Sequence, residues 1–136
     1  MNPRVAQLKY ICFLAALVCS CARGFSVSDL YGTYVASYSF GTDKIVLKND
    51  GTYMQEVTIK KEQIPYTTTG KWEYDKASNH VIIENCYIVS NGLGQLSKNY
   101  KALSQGPSIF PVERDMLSRR IRLGPGEGNP YKKIRD

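Results

Sequence analysis

Asn49-Asp50-Gly51 lies between two segments whose apolar residues alternate, and that arrangement leaves few folds open. Asn, Asp and Gly tolerate the positive backbone φ that a tight hairpin requires. On the N-terminal side, Lys44 to Lys48 carries Ile45 and Leu47. On the C-terminal side, Thr52 to Lys60 sets Tyr53, Gln55, Val57 and Ile59 opposite Met54, Glu56 and Thr58. A period of two sends alternate side chains to opposite faces of a sheet. An isolated hairpin is marginal in water, so other strands must cover its apolar face.

Further strands follow from the same pattern. Thr33 to Phe40 sets Tyr34, Ala36, Tyr38 and Phe40 against Val35, Ser37 and Ser39, and Gly41-Thr42-Asp43 reads as the turn that follows. Lys61 to Tyr66, containing Pro65, interrupts the next strand. Thr67 to Tyr74 places Thr68, Gly70, Trp72 and Tyr74 on one face and Lys71 and Glu73 on the other. Asp75 to Asn79 turns, and His80 to Val89 reads as the longest apolar strand. Ten tyrosines and many Val, Ile and Thr residues agree with β-structure. The spacing predicts an all-β domain, an antiparallel meander closing into a small barrel, with a β-sandwich as the alternative.

The last third is less regular. Asn91 to Gly94 reads as a loop, Ser97 to Ser104 as a short helix or irregular segment, and Gly124 to Pro130 as a second loop. Ile109 to Arg114 and Arg119 to Leu123 read as strands, with Tyr131 to Ile134 pairing back to close the sheet. Gly32, Gly51 and Gly70 recur 19 residues apart and are read as three strands that each begin with glycine.

Ahead of this domain, Arg4 and Lys9 precede the apolar run Tyr10 to Val18, which ends at Cys19-Ser20-Cys21. A positive start, a short apolar run and small residues before a cut describe a secretory signal peptide. The run is about half the ~20 residues needed to span a bilayer. Leu17, Val18, Ser20 and Cys21 resemble the bacterial lipoprotein signal, which implies acylation of Cys21 and cleavage before it. Ala22, which lacks the aspartate that retains such proteins in the inner membrane, implies the outer membrane of a cell envelope. The alternative is cleavage after Ala22, which releases a soluble periplasmic or secreted chain. The expected layout is a signal peptide over 1–20, a lipidated N-terminus and linker over 21–28, and one β-domain over 29–136.

The domain resembles the small lipocalin-like domains of bacterial lipoproteins. The likeness rests on Asp29-Leu30-Tyr31-Gly32-Thr33-Tyr34, on Leu47 to Tyr53 around the hairpin, and on Gly70-Lys71-Trp72-Glu73-Tyr74 before an apolar strand. It implies a barrel that fills its interior or lines a pocket with aromatic side chains. Tyr34, Tyr38, Tyr53, Trp72 and Tyr74, joined by Phe40, are the candidates, with core filling preferred over an apolar ligand pocket.

The chain carries 18 basic and 12 acidic residues, and the part from Ser97 onward holds nine basic against four acidic. Export argues against nucleic acid as partner and favours anionic lipid or cell-wall polymer. Arg119, Arg120, Arg122, Lys132 and Lys133 are the candidate contacts for such a surface, with Arg114 and Arg135 beside them. A solvated basic face is the plainer alternative. With three of four cysteines in or next to the signal, Cys86 is expected to be a packed, inert thiol. His80, the sole histidine, lies six residues from Cys86, roughly 20 Å along an extended strand, too far for a shared proton. No catalytic set, metal site or cofactor is expected. The expected function is a lipid-anchored binding or interaction module for an apolar small molecule, envelope lipid or partner protein. An enzyme acting on envelope material is the remote alternative, and it requires His80 to meet Glu73 or Glu84 in one cleft.

Overall fold

A computed structural model describes residues 24–124 and 129–134. Cys12, Cys19, Cys21 and Arg135 lie outside these residues, as do the whole expected signal segment and 125–128 of the Gly124 to Pro130 loop. A single helical turn, α1 (Val27–Leu30), precedes eight strands: β1 (Gly32–Tyr38), β2 (Gly41–Leu47), β3 (Thr52–Ile59), β4 (Tyr66–Asp75), β5 (His80–Ile83), β6 (Ser108–Arg114), β7 (Ile121–Leu123) and β8 (Tyr131–Lys133). Each strand pairs antiparallel with the next, and β8 returns to β1 through Tyr34↔Lys133 and Val35↔Lys132. The result is a closed barrel, not a sandwich.

Closure removes sheet edges, and alternation fills the interior. Tyr34 and Ala36 of β1, Ile45 and Leu47 of β2, Tyr53 of β3, Trp72 of β4, Val81 and Ile83 of β5, Val112 of β6, and Ile121 and Leu123 of β7 form one buried cluster. The Asn49-Asp50-Gly51 hairpin forms as expected. Lys48 donates its N–H to Thr52 O at 2.9 Å, Gly51 takes φ 79°, and Asp50 Oδ1 accepts from Thr52 N and Oγ1.

Three local readings need correction. Gly41-Thr42-Asp43 is strand, because Tyr38 pairs with Gly41 and the two-residue loop is Ser39-Phe40. The strand from His80 stops at Ile83, and Asn85 at φ 49° turns the chain out of the sheet. Gly70 lies inside β4 and does not begin it. A Cβ there would stand 2.9 Å from the Tyr53 ring, so glycine makes room for a core aromatic.

The up-and-down path sorts the connections onto two ends. One end carries α1 and the β2–β3, β4–β5 and β6–β7 hairpins. There Leu30 is fully buried, and its carbonyl accepts the Tyr34 hydroxyl at 2.8 Å. The other end carries the Ser39-Phe40 turn, residues 60–65, the long segment 84–107 and the β7–β8 connection. The segment 97–104 is irregular, made of turns and a bridge between Tyr87 and Leu103.

Candidate functional site

The end carrying segment 84–107 holds a cleft of about 740 Å³. Its floor is aromatic: Tyr38 from the end of β1, Phe110 from β6 and Tyr131 from the start of β8. Phe110 and Tyr131 meet edge to face with centroids 5.5 Å apart. Leu123 and Cys86 complete the base. Ile88, Leu93 and Ile109 stand around it, all exposed, Leu93 to 83%. Large aliphatic side chains from separate segments, turned outward around an aromatic base, are what a solvated surface ordinarily avoids.

A polar network lies directly under this floor. Asp43 and Gln55 are fully buried on the inward faces of β2 and β3. Tyr131 donates its hydroxyl to Asp43 Oδ2 at 2.5 Å, and Gln55 Nε2 donates to both Asp43 oxygens at 3.0 Å. Gln55 also grips segment 84–107 as a strand would: its Oε1 accepts from Tyr87 N at 2.7 Å, and its Nε2 donates to Tyr87 O at 3.1 Å. Among the described residues no cation pairs with Asp43. Burial pushes its carboxyl up to about 6, against the pull of the Tyr131 and Gln55 hydrogen bonds. Burial beside Asp43 also raises Tyr131, which therefore stays a hydrogen-bond donor.

A second clasp fixes the same segment at the open end of the barrel. Val57, Ile59 and Val89 pack with Phe40, Tyr66, Tyr87, Leu96 and Tyr100. Glu62 accepts the hydroxyls of Tyr66 and Tyr100 and pairs with Lys101 at 3.3 Å. Those hydroxyl donors, Tyr100 first, hold its carboxyl down to about 2. The wall of the cleft is thus tied both to the barrel core and to the β3–β4 connection.

The sequence-derived aromatics divide. Tyr34 and Tyr53 are core, and the Tyr53 hydroxyl donates to Glu84 O. Trp72 is buried, its Nε1 donating to Lys48 O at 2.9 Å. Tyr74 is half-buried and bonds Asn79 Oδ1 at 2.7 Å, towards the helix-bearing end. Only Tyr38 of the five lines the cleft, stacked on Phe40 at 4.9 Å. Cys86 is buried, its thiol donates to Ser108 Oγ, and burial raises its pKa. His80 does not line the 620 Å³ depression on the barrel wall to which Glu73 and Glu84 contribute. Among the described residues no group of His, Cys, Asp or Glu is arranged to hold a metal ion.

The basic residues gather towards the helix-bearing end. Arg119, Arg120 and Lys132 are exposed. Arg122 is partly buried and pairs with Glu113 at 3.2 Å and Asp115 at 3.5 Å. Lys133 donates to Asp29 O at 2.7 Å.

Asp43, Phe110, Tyr131 and the aliphatic rim are the site residues that sequence reasoning missed. Asp43 had a signal: the alternation of Ile45 and Leu47 extends back through Asp43 to Gly41. No protein-family model matches the chain, and comparison with curated proteins and with solved structures returns no significant match.

Proposed function

We propose that the protein is a lipid-tethered binding module of a bacterial cell envelope, acylated at Cys21, that takes an apolar small molecule in the cleft above Tyr38, Phe110 and Tyr131. The observation that carries this reading is the outward turn of Ile88, Leu93 and Ile109 around an aromatic floor. Covering such side chains gains about 25 cal/mol per Å² of apolar surface. The cleft volume of about 740 Å³ falls in the range of small-molecule sites, ~300–1,000 Å³. The barrel interior is filled, so the ligand sits at the mouth and not in a deep calyx.

The topology supports a tether on the opposite side. Gly24 and Phe25 enter at the helix-bearing end, so a lipid on Cys21 would hold that end to the membrane and leave the cleft facing away. The experiment is a titration of a version beginning at Ala22 with N-phenyl-1-naphthylamine, an apolar dye that brightens out of water. Every described contact is retained in that version, because the described chain starts at Gly24. Saturable one-site binding, weakened at least about tenfold by Ile109→Asp with folding intact, supports the reading. Absence of saturable binding, or binding indifferent to Ile109→Asp, overturns it.

A further inference from the structure

The tip of the β6–β7 hairpin presents Met116 and Leu117 at 88% and 97% exposure, the most exposed large apolar side chains among the described residues. Hydrogen bonds close the tip in that pose. Asp115 N donates to Arg120 O at 2.8 Å, Arg119 N donates to Asp115 O at 3.0 Å, and Asp115 Oδ1 accepts from Leu117 N and Ser118 N at 3.0 and 2.7 Å. Arg114 Nη1 adds a bond to Arg119 O at 3.1 Å. Arg119 takes φ 60°, a conformation glycine adopts at lower cost, yet the position carries a cation.

Beside the tip lies a depression of about 240 Å³ lined by Asp115, Ser118, Arg120, Arg122 and Lys132. Arg122, partly buried, forms the base of this depression. Arg122 is already held by Glu113 and Asp115, so the exposed cations of the depression are Arg120 and Lys132, with Arg119 next to them, and they suit an anion that brings acceptor oxygens. The incoming chain touches the base of the same hairpin: the Arg114 guanidinium lies 5.2 Å from the centroid of the Phe25 ring. Gly24 is three residues after Cys21, a reach of roughly 10 Å.

We propose that this hairpin is a membrane-docking element: Met116 and Leu117 enter the interfacial layer of an anionic bilayer while Arg119, Arg120 and Lys132 attract a phospholipid headgroup. Apolar insertion and basic attraction are complementary parts of interfacial binding, and neither is strong alone. The proposal rests on the reading that the helix-bearing end faces the membrane, but it requires neither acylation of Cys21 nor a ligand in the cleft. With both contacts made, the domain is oriented, and not merely tethered, with its cleft directed away from the membrane.

The test uses the version beginning at Ala22, so that acylation plays no part. Leu117→Cys is labelled with an environment-sensitive nitrobenzoxadiazole dye. Gln63→Cys, exposed at the opposite end, is the control, and the parent gives the background from buried Cys86. Vesicles of phosphatidylcholine with phosphatidylglycerol, or of phosphatidylcholine alone, are added at low and high salt. The expected result is a blue shift at Leu117 only, on anionic vesicles, reversed by salt. Met116→Asp/Leu117→Asp and Arg119→Glu/Arg120→Glu should each weaken binding about tenfold or more with unchanged thermal melting. No shift at Leu117, or an equal shift at Gln63, overturns the proposal. Loss of only the Arg119→Glu/Arg120→Glu variant's binding, with the apolar double variant unaffected, also overturns insertion and leaves charge attraction alone. A protein that docks in this test yet proves unacylated at Cys21 would refute the tether while leaving the hairpin's role intact.

Discussion

Tyr131 and Asp43, 88 residues apart in sequence, meet inside the barrel through a 2.5 Å hydrogen bond that links the closing strand β8 to β2. The bond satisfies a buried tyrosine hydroxyl and gives a buried carboxylate one of its few partners. It also joins the barrel's closure to the cleft, because Tyr131 is part of the floor.

Asp43 makes stability depend on pH in the direction opposite to most carboxylates. Its folded pKa of about 6 stands above the ordinary 3.8, so the folded state holds this proton longer than the unfolded one. The contribution of Asp43 is therefore full below about pH 4 and is lost as pH rises through about 6. The loss is on the order of 3 kcal/mol at about 1.4 kcal/mol per unit. Turn carboxylates act the other way: Asp29, Asp50, Asp75 and Asp115 are lowered by hydrogen bonds from their own turns, and Glu62 by tyrosine hydroxyls. Their contributions vanish as pH falls through their folded values. Urea unfolding should thus show greatest stability near about pH 4–5, and Asp43→Asn should abolish the decline towards neutrality. A decline that persists in Asp43→Asn would refute the assignment.

Gln55 pins segment 84–107 through both backbone groups of Tyr87. Gln55→Leu leaves those groups and Asp43 short of partners, at a cost of about 2–3 kcal/mol. Hydrogen exchange of the amides from Tyr87 to Ser90 should accelerate relative to those of β1 and β2. Unchanged protection there would mean that the apolar cluster around Val89 holds the segment by itself.

Trp72 is core, with an edge-to-face contact to Tyr31 at 6.0 Å and a hydrogen bond to Lys48 O. Trp72→Ala should cost about 3–5 kcal/mol in chemical denaturation. Unfolding at nearly the parental denaturant concentration would contradict its burial.

Cys21 is the expected acylation site. Membrane fractionation and intact mass of Cys21→Ala in a bacterial host should yield a precursor or a soluble chain. A membrane-bound, diacylated species in that variant would end the proposal of a lipid anchor.

The meander was legible because each of the first four strands states its two faces in a short window. Tyr53, Gln55, Val57 and Ile59 fall inward together, as their spacing requires. The cleft was not legible for the opposite reason. Tyr38, Leu93, Ile109 and Tyr131 come from four distant parts of the chain and converge only when β8 reaches β1 and 84–107 folds back. The apolar run after Ile83 looked like continuing strand, since Cys86 and Val89 are indeed buried. They are buried in a loop held by Gln55 and the Tyr66–Tyr87 contact, which no local pattern encodes. Composition alone reads Asp43 as a turn residue, although the alternation through Ile45 and Leu47 points it inward.

Mapping the bound dye by nuclear magnetic resonance is the most direct measurement of the cleft as a binding site. In a ¹⁵N-labelled version beginning at Ala22, N-phenyl-1-naphthylamine should shift the amides of Tyr38, Leu93, Ile109, Phe110 and Tyr131 in a saturable manner. Amides around Asp50, Ser78 and Ser118, at the other end of the barrel, should stay in place. Shifts centred on that other end or on the barrel wall around Glu73 and Glu84, or no saturable shift anywhere, would contradict a binding cleft above Tyr131.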